Sequence, residues 1–332
     1  VFGLLTAAKY VWDFDPLLKV LPFNMSRAIH LNLLVVWLLM GFMGGAYYLI
    51  PEETGRELWS PVLARVQFVF FILLAVGVVA GYLGRWFWGM PFLEQEKWLC
   101  IEAGLVLFTG IAGTGHHYYW FGTPHYWLWG GGIFSAFEPL PILFMVIDTL
   151  REVKERSIEI KNTLVVRYAV TGAFLHFVGA GVWGLAQTLP MINKWTHGTQ
   201  ITASHGHFAF FGAYAMINLT VMAFVLPRLR RVDMKRDRLG MPDFVLIVFF
   251  LVMIVLSLAI AGIVQVYFQR VMGLDYLTTQ SYLKPWYAVF FVSACCLAVG
   301  VFLAIGDFLS LGRLGAGRTA LDRQKERTNP PE

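Results

Sequence analysis

Charge is scarce in this chain. Of its 332 residues only 14% are Asp, Glu, Lys or Arg, against about 25% in a soluble globular protein. The deficit is concentrated rather than spread. Residues 28–50, 66–84, 168–192, 198–227, 244–269 and 286–306 contain none of the four. A water-facing surface cannot be built from such runs, which excludes an ordinary soluble domain. Cysteine is scarce too: Cys100, Cys295 and Cys296 all lie in apolar stretches, and neither CxxC nor CxxCH occurs. That excludes a covalently attached c-type haem and a thiolate metal site. The period-2 alternation of a membrane barrel is missing as well.

What is present fits a bilayer. Each uncharged run is long enough to cross the hydrocarbon core as a helix, for which roughly 20 apolar residues are needed. Two further apolar runs, 98–118 and 126–147, hold one carboxylate each, Glu102 and Glu138. The sequence therefore predicts eight spans, in an all-α, polytopic transmembrane bundle forming one membrane domain over 1–332. Helices are expected because lipid leaves backbone polar groups no partners but their own. The net charge of +5 does not point to nucleic acid. Its basic residues gather between spans, at Arg151 to Lys161, Arg228 to Arg238 and Arg313 to Arg327, as cytoplasmic loops do. The segments 119–125, 193–197 and 270–285 are poor in Lys and Arg and are expected to face outward. Residues 1–10 read as the tail of another apolar segment, so a cut N-terminus is expected.

Six of the eight histidines sit in spans: His30, His116, His117, His176, His205 and His207. Ionisable side chains at membrane depth are costly and are functional by default. In His205-Gly206-His207 the two imidazoles lie about 200° apart on an α-helix. They cannot share one metal, but each can serve a different flat cofactor on its own side of the helix. His116 and His117 point about 100° apart and can converge on one metal close to the helix surface. Imidazole suits iron, copper or zinc, so ligand type alone does not name the metal.

Several motifs together resemble cytochrome-c-dependent nitric oxide reductases of the haem–copper oxidase superfamily. They are NMSRAIHLNLLVVW at 24–37, YYLIPEE at 47–53, GTGHHY at 113–118, FSAFEPLP at 134–141, GAGVWG at 179–184 and THGTQITASHGH at 196–207. The resemblance implies a helix bundle of the haem–copper oxidase type that joins two nitric oxide molecules into nitrous oxide and water. It implies two haem b groups and a non-haem iron. His30 and His207 would be the axial ligands of a low-spin haem b, His205 would hold a high-spin haem b, and His116 and His117 would bind the iron. Glu138 matches a buried glutamate near the active site, where a carboxylic acid can handle protons. His197 is placed for contacts around the haems, whereas His176 has no family role and is read as structural. The electron donor would be a membrane-anchored c-type cytochrome subunit, and the location the inner (plasma) membrane of a bacterium. A copper-containing oxygen reductase and a non-catalytic dihaem electron carrier are the alternatives.

Membrane parity departs from the family. Counting spans back from the charged loops puts His30 on the face opposite His207, about 30 Å away across the core. An odd number of spans absent between His30 and His116 would repair this, and the family expects three there. The junction is expected near Gln95 and Glu96. The missing segment would carry a third iron-binding histidine and a glutamate, so the iron site is expected to be incomplete.

Overall fold

The computed structural model describes residues 1–12, 21–54, 60–85, 147, 150, 151, 154, 155, 162–230 and 241–311. The run 98–118 lies outside them, as does all of 126–147 but its last residue. Among the described residues every regular element is helical. Six stretches are long and apolar enough to cross a membrane: Phe23–Glu52, Pro61–Leu83, Thr163–Thr188, Gln200–Leu229, Met241–Val271 and Tyr276–Ser310. They overlap all six charge-free runs and extend past most of their ends, because a helix continues into the polar interface where Lys284 and Asp307 are tolerated. Their outward faces are apolar. On Pro61–Leu83, Val62, Leu63, Val66, Phe68 and Val69 are all more than half exposed. A water-soluble surface does not carry so continuous an apolar patch, whereas lipid requires one.

The chain divides into two compact units, one of residues 1–136, 184–203 and 257–292, the other of 137–183, 204–256 and 293–332. In the first, α1 (Phe2–Ala8) packs on α2 (Phe23–Thr54), which pairs with α3 (Pro61–Leu83). Ser60 caps α3 by accepting the Leu63 N–H at 3.2 Å, with Pro61 in the first turn, where its missing N–H costs nothing. Met25, Ala28, Ile29, Val78 and Tyr82 form the core between α2 and α3. Thr6 Oγ1 donates to Ser26 Oγ at 3.3 Å, and the Lys9 ammonium donates to the Leu21 carbonyl and to Ser26 Oγ. Elsewhere in this unit Tyr10 stacks on Tyr287 with ring centroids 4.4 Å apart. Tyr287 Oη accepts from Gln200 at 3.0 Å and donates to Gln280 at 2.9 Å.

The second unit is built on a close crossing. It begins with α4 (Thr163–His176), capped by Asn162, whose carboxamide oxygen accepts the Val165 N–H at 3.3 Å. The chain then passes into a π-helical stretch, Phe177–Trp183. Against these lie a second π-helical stretch, His207–Ala215, and α8 (Met216–Leu229); the short helices α5 (Gly184–Thr188), α6 (Pro190–Thr196) and α7 (Gln200–Gly206) lie between in sequence. Three pairs bring the backbones together. A Cβ on Gly172 would meet Met216 Cβ at 2.8 Å, one on Gly212 would meet Leu175 Cβ at 3.2 Å, and one on Gly179 would meet Phe208 Cγ at 2.6 Å. Small residues at such crossings are how membrane helices gain dispersion contacts without a hydrophobic drive. Leu164, Tyr168, Leu175, Phe208, Met216 and Leu251 belong to the surrounding core. At one end Arg230 Nη1 donates to the carbonyls of Phe308, Leu309 and Leu311 at 3.0, 2.9 and 2.8 Å. Those are carbonyls left over at a helix C-terminus, here that of α10 (Tyr276–Ser310); α9 (Met241–Val266) precedes it.

Candidate functional site

The segment 196–207 is shaped by its small and hydroxyl residues. Gly198 has φ +72°, a left-handed conformation that glycine adopts without strain, and it turns the chain from α6 into α7. Thr199 closes the turn, donating from Oγ1 to the Thr196 carbonyl at 2.6 Å and accepting the Ile201 N–H at 3.3 Å. The Gln200 N–H, an orphan donor at a helix start, is taken by Gln265 Oε1 at 3.0 Å. Gly262 lets Ile201 approach so closely that a Cβ there would lie 2.3 Å from its backbone nitrogen.

His205 lies in the second unit. Ser204 beside it is fully buried and donates to the Val255 carbonyl at 2.8 Å, which pins the helix. His205 Nδ1 stands 3.0 Å from the Gly179 carbonyl oxygen. A carbonyl only accepts, so Nδ1 carries the proton and Nε2 carries the lone pair. That tautomer is the one a metal-ligating histidine takes when a carbonyl holds its other nitrogen, and the contact also raises ligand basicity. The residues at this position therefore fit a metal-centred cofactor. Gly179 is required for it, since any side chain there would push Phe208 away and withdraw the carbonyl.

His207 opens the π-helical stretch His207–Ala215 and is half-buried. Gly206 is helical, at φ −57° and ψ −46°, so His205 and His207 stand on one continuous helix. From His207 onward the turns are π-helical and wider than those of an α-helix. Single π-turns in membrane and soluble helices are frequent at functional sites.

His30 belongs to the first unit. It is half-buried on α2, with α1 passing so near that a Cβ on Gly3 would lie 2.9 Å from its Cε1. His116, His117, Glu138 and Glu102 lie outside the described residues. Among the described residues no group of three or more His, Cys, Asp or Glu converges. His197 is exposed beside Gly198, and its backbone carbonyl accepts from Arg270 Nη2 at 3.4 Å. Partial burial and the Arg270 charge hold its imidazole below the ordinary histidine value.

One histidine stands out that sequence reasoning set aside. His176 is 5% exposed, and its Nδ1 is buried without a hydrogen-bond partner among the described residues. Only its isolation in a charge-free run could have flagged it.

Two comparisons with known proteins complete the picture. The family model described as cytochrome c and quinol oxidase polypeptide I matches residues 1–95 and 92–296. A nitric oxide reductase subunit of Stutzerimonas stutzeri is 31% identical over 434 aligned positions, covering 95% of this chain and 91% of that protein. The alignment is 102 positions longer than the chain's 332 residues, so it contains at least that many positions where the relative has a residue and this chain has none. The apolar helices and the family match agree on a multi-pass integral membrane protein of an oxidoreductase family. The chain belongs to the haem–copper oxidase family of cytochrome c and quinol oxidase polypeptide I.

Proposed function

We propose that this protein derives from the catalytic subunit of a nitric oxide reductase in the bacterial plasma membrane. The 31% identity to the Stutzerimonas stutzeri nitric oxide reductase chain, across nearly all of both proteins, carries the reading. In the structure it is supported by the His205–Gly179 contact at 3.0 Å. When bound, two haem b groups and a non-haem iron would supply the redox chemistry that joins two nitric oxide molecules into nitrous oxide and water, with two electrons and two protons.

The residues have separate duties. His205 presents Nε2 to the high-spin haem b, with its tautomer set by the Gly179 carbonyl. His30 and His207 are assigned to the low-spin haem b, and Gly3 leaves the His30 ring the room it has. His116 and His117 are assigned to the iron, and Glu138 to proton handling beside it. The donor is a separate membrane-anchored c-type cytochrome, because this chain has no CxxCH.

The absent alignment positions favour a second reading of the chain as it stands. The family match divides at 92–95, and we place the missing segment there, near Gln95 and Glu96. A chain lacking it would hold haem without a complete iron site, as a dihaem electron carrier. A visible spectrum of the purified protein under nitric oxide separates the two. A nitric-oxide-reactive five-coordinate haem together with nitrous oxide release supports the reductase. Two six-coordinate haems with no response to nitric oxide would count against it.

A further inference from the structure

We infer that His176 is a proton-binding site tied to the redox state of the cofactor on His205: it gains a proton when that cofactor gains an electron. The inference rests on the reading of His205 as a haem ligand. Nearly all buried polar atoms are hydrogen-bonded, and an exception calls for a reason. Among the described residues His176 is such an exception, 5% exposed with Nδ1 unpartnered. A leucine or methionine would fill the same space without a stranded nitrogen, so packing alone does not account for an imidazole there.

Its position supplies the reason. His176 is the last residue of α4, three residues before Gly179, whose carbonyl holds His205. The two imidazoles are thus served by the same crossing, where Gly172, Gly179 and Gly212 bring the backbones together. Residues 169–183 and 204–227 contain no Asp, Glu, Lys or Arg. With His205 and His207 committed to cofactors, His176 is the one side chain in these stretches that can take up a proton as a full positive charge. Among the described residues the groups around it are few. Tyr214 faces it from the stretch His207–Ala215, with ring centroids 5.9 Å apart. Tyr168 lies two turns back on α4 and donates to Asp243 of α9 at 3.4 Å. Asp307 of α10 acts on that same carboxylate through its charge.

In surroundings of low dielectric a newly added charge is felt strongly and over distance. An electron arriving at the cofactor adds one negative charge. A proton from water, forming a second N–H on His176, offsets it, and the net charge of the interior does not change. Reoxidation releases the electron and then the proton. Tyr214 cannot play this part, because a phenol gives up a proton rather than taking a positive charge.

The test is a potentiometric titration of the haem-loaded protein, followed by haem absorbance from about pH 4.5 to about pH 9, a range reaching well to either side of the ordinary histidine value. One proton per electron lowers the midpoint by about 59 mV for each tenfold drop in proton concentration. We expect the wild type to approach that slope over part of the range and His176→Gln to lose most of it. A flat wild type, or a His176→Gln slope equal to the wild type's, overturns the inference. Should the variant not fold, the reduced-minus-oxidised infrared difference spectrum of wild type with labelled histidine takes its place. An imidazolium signal on reduction supports the site, and its absence overturns it. His205→Ala separates the two levels. If the titrating haem survives that change, the reading of His205 falls and the inference with it. If the haem depends on His205 but ignores His176, only the inference falls.

Discussion

Gly179→Ala places a methyl group 2.6 Å from Phe208 Cγ, 2.9 Å from Cδ2 and 3.0 Å from Cβ. Carbon atoms rest at roughly 3.5–4.0 Å, so the overlap approaches 1 Å and falls on the root of the ring, not on a mobile tip. Forcing extra volume into a packed core costs about 1–3 kcal/mol. The displaced helix also withdraws the Gly179 carbonyl from His205, and a lost hydrogen bond costs about 0.5–1.5 kcal/mol. Alanine regains about 0.5–1 kcal/mol over glycine as a helix residue. The balance is a destabilisation of about 2 kcal/mol together with a changed His205 environment. Thermal unfolding in detergent reads the first, and haem content with the iron–histidine spectroscopic signature reads the second. In a Phe208→Ala background, which is itself destabilised, Gly179→Ala should cost much less than in the wild type, because the ring atoms that clash are gone. If Gly179→Ala leaves both the Tm and the haem signature at wild-type values, the account of this crossing is refuted.

Other expectations follow from neighbouring features. Gly262→Ala should destabilise more than Gly179→Ala, because its Cβ would meet backbone, Ile201 N at 2.3 Å; Gly44→Ala, with nothing within 4 Å, is the control and should shift Tm little. Arg230→Met removes the cap on the carbonyls of Phe308, Leu309 and Leu311 and, because Arg230 is exposed and water can replace part of it, should cost about 0.5–1.5 kcal/mol, read by denaturant or heat. The depressed His197 imidazole binds fewer protons in the folded than in the unfolded state. Its contribution is therefore intact above the ordinary histidine value, about 6.5, and is lost as pH falls through the lower folded value. The Tm difference between pH 8 and pH 5 should shrink in His197→Gln, and an unchanged difference would remove His197 as a contributor. His116→Ala or His117→Ala should lower non-haem iron per chain without changing haem content, measured by elemental analysis beside the haem spectrum.

How much of this was legible beforehand differs by level. The charge-free runs locate six of the helices because lipid leaves a backbone no option but to bond to itself, which is a local requirement. They miss the extent of Tyr276–Ser310, since hydropathy registers only the stretch inside the hydrocarbon, while the helix runs on past Lys284 and Asp307. The histidines declare themselves as candidates for the same reason that charges are rare: each is costly in a membrane. The runs 98–118 and 126–147, with His116, His117 and Glu138, lie largely outside the described residues.

What the chain's own pattern determined, then, was the class of fold, the membrane as solvent and the residue types able to hold metal. The tautomer of His205 was decided elsewhere, by a carbonyl 26 residues away in sequence. So was the setting of His176, whose ring meets that of Tyr214 at 5.9 Å across the same crossing. The wide turns at Phe177–Trp183 and His207–Ala215 also have no signature in composition. A helix forms from bonds four or five residues long, so sequence can announce it. A hydrogen bond across a crossing depends on two surfaces meeting at one register, and that register is set only when glycines, side chains and backbone pack together.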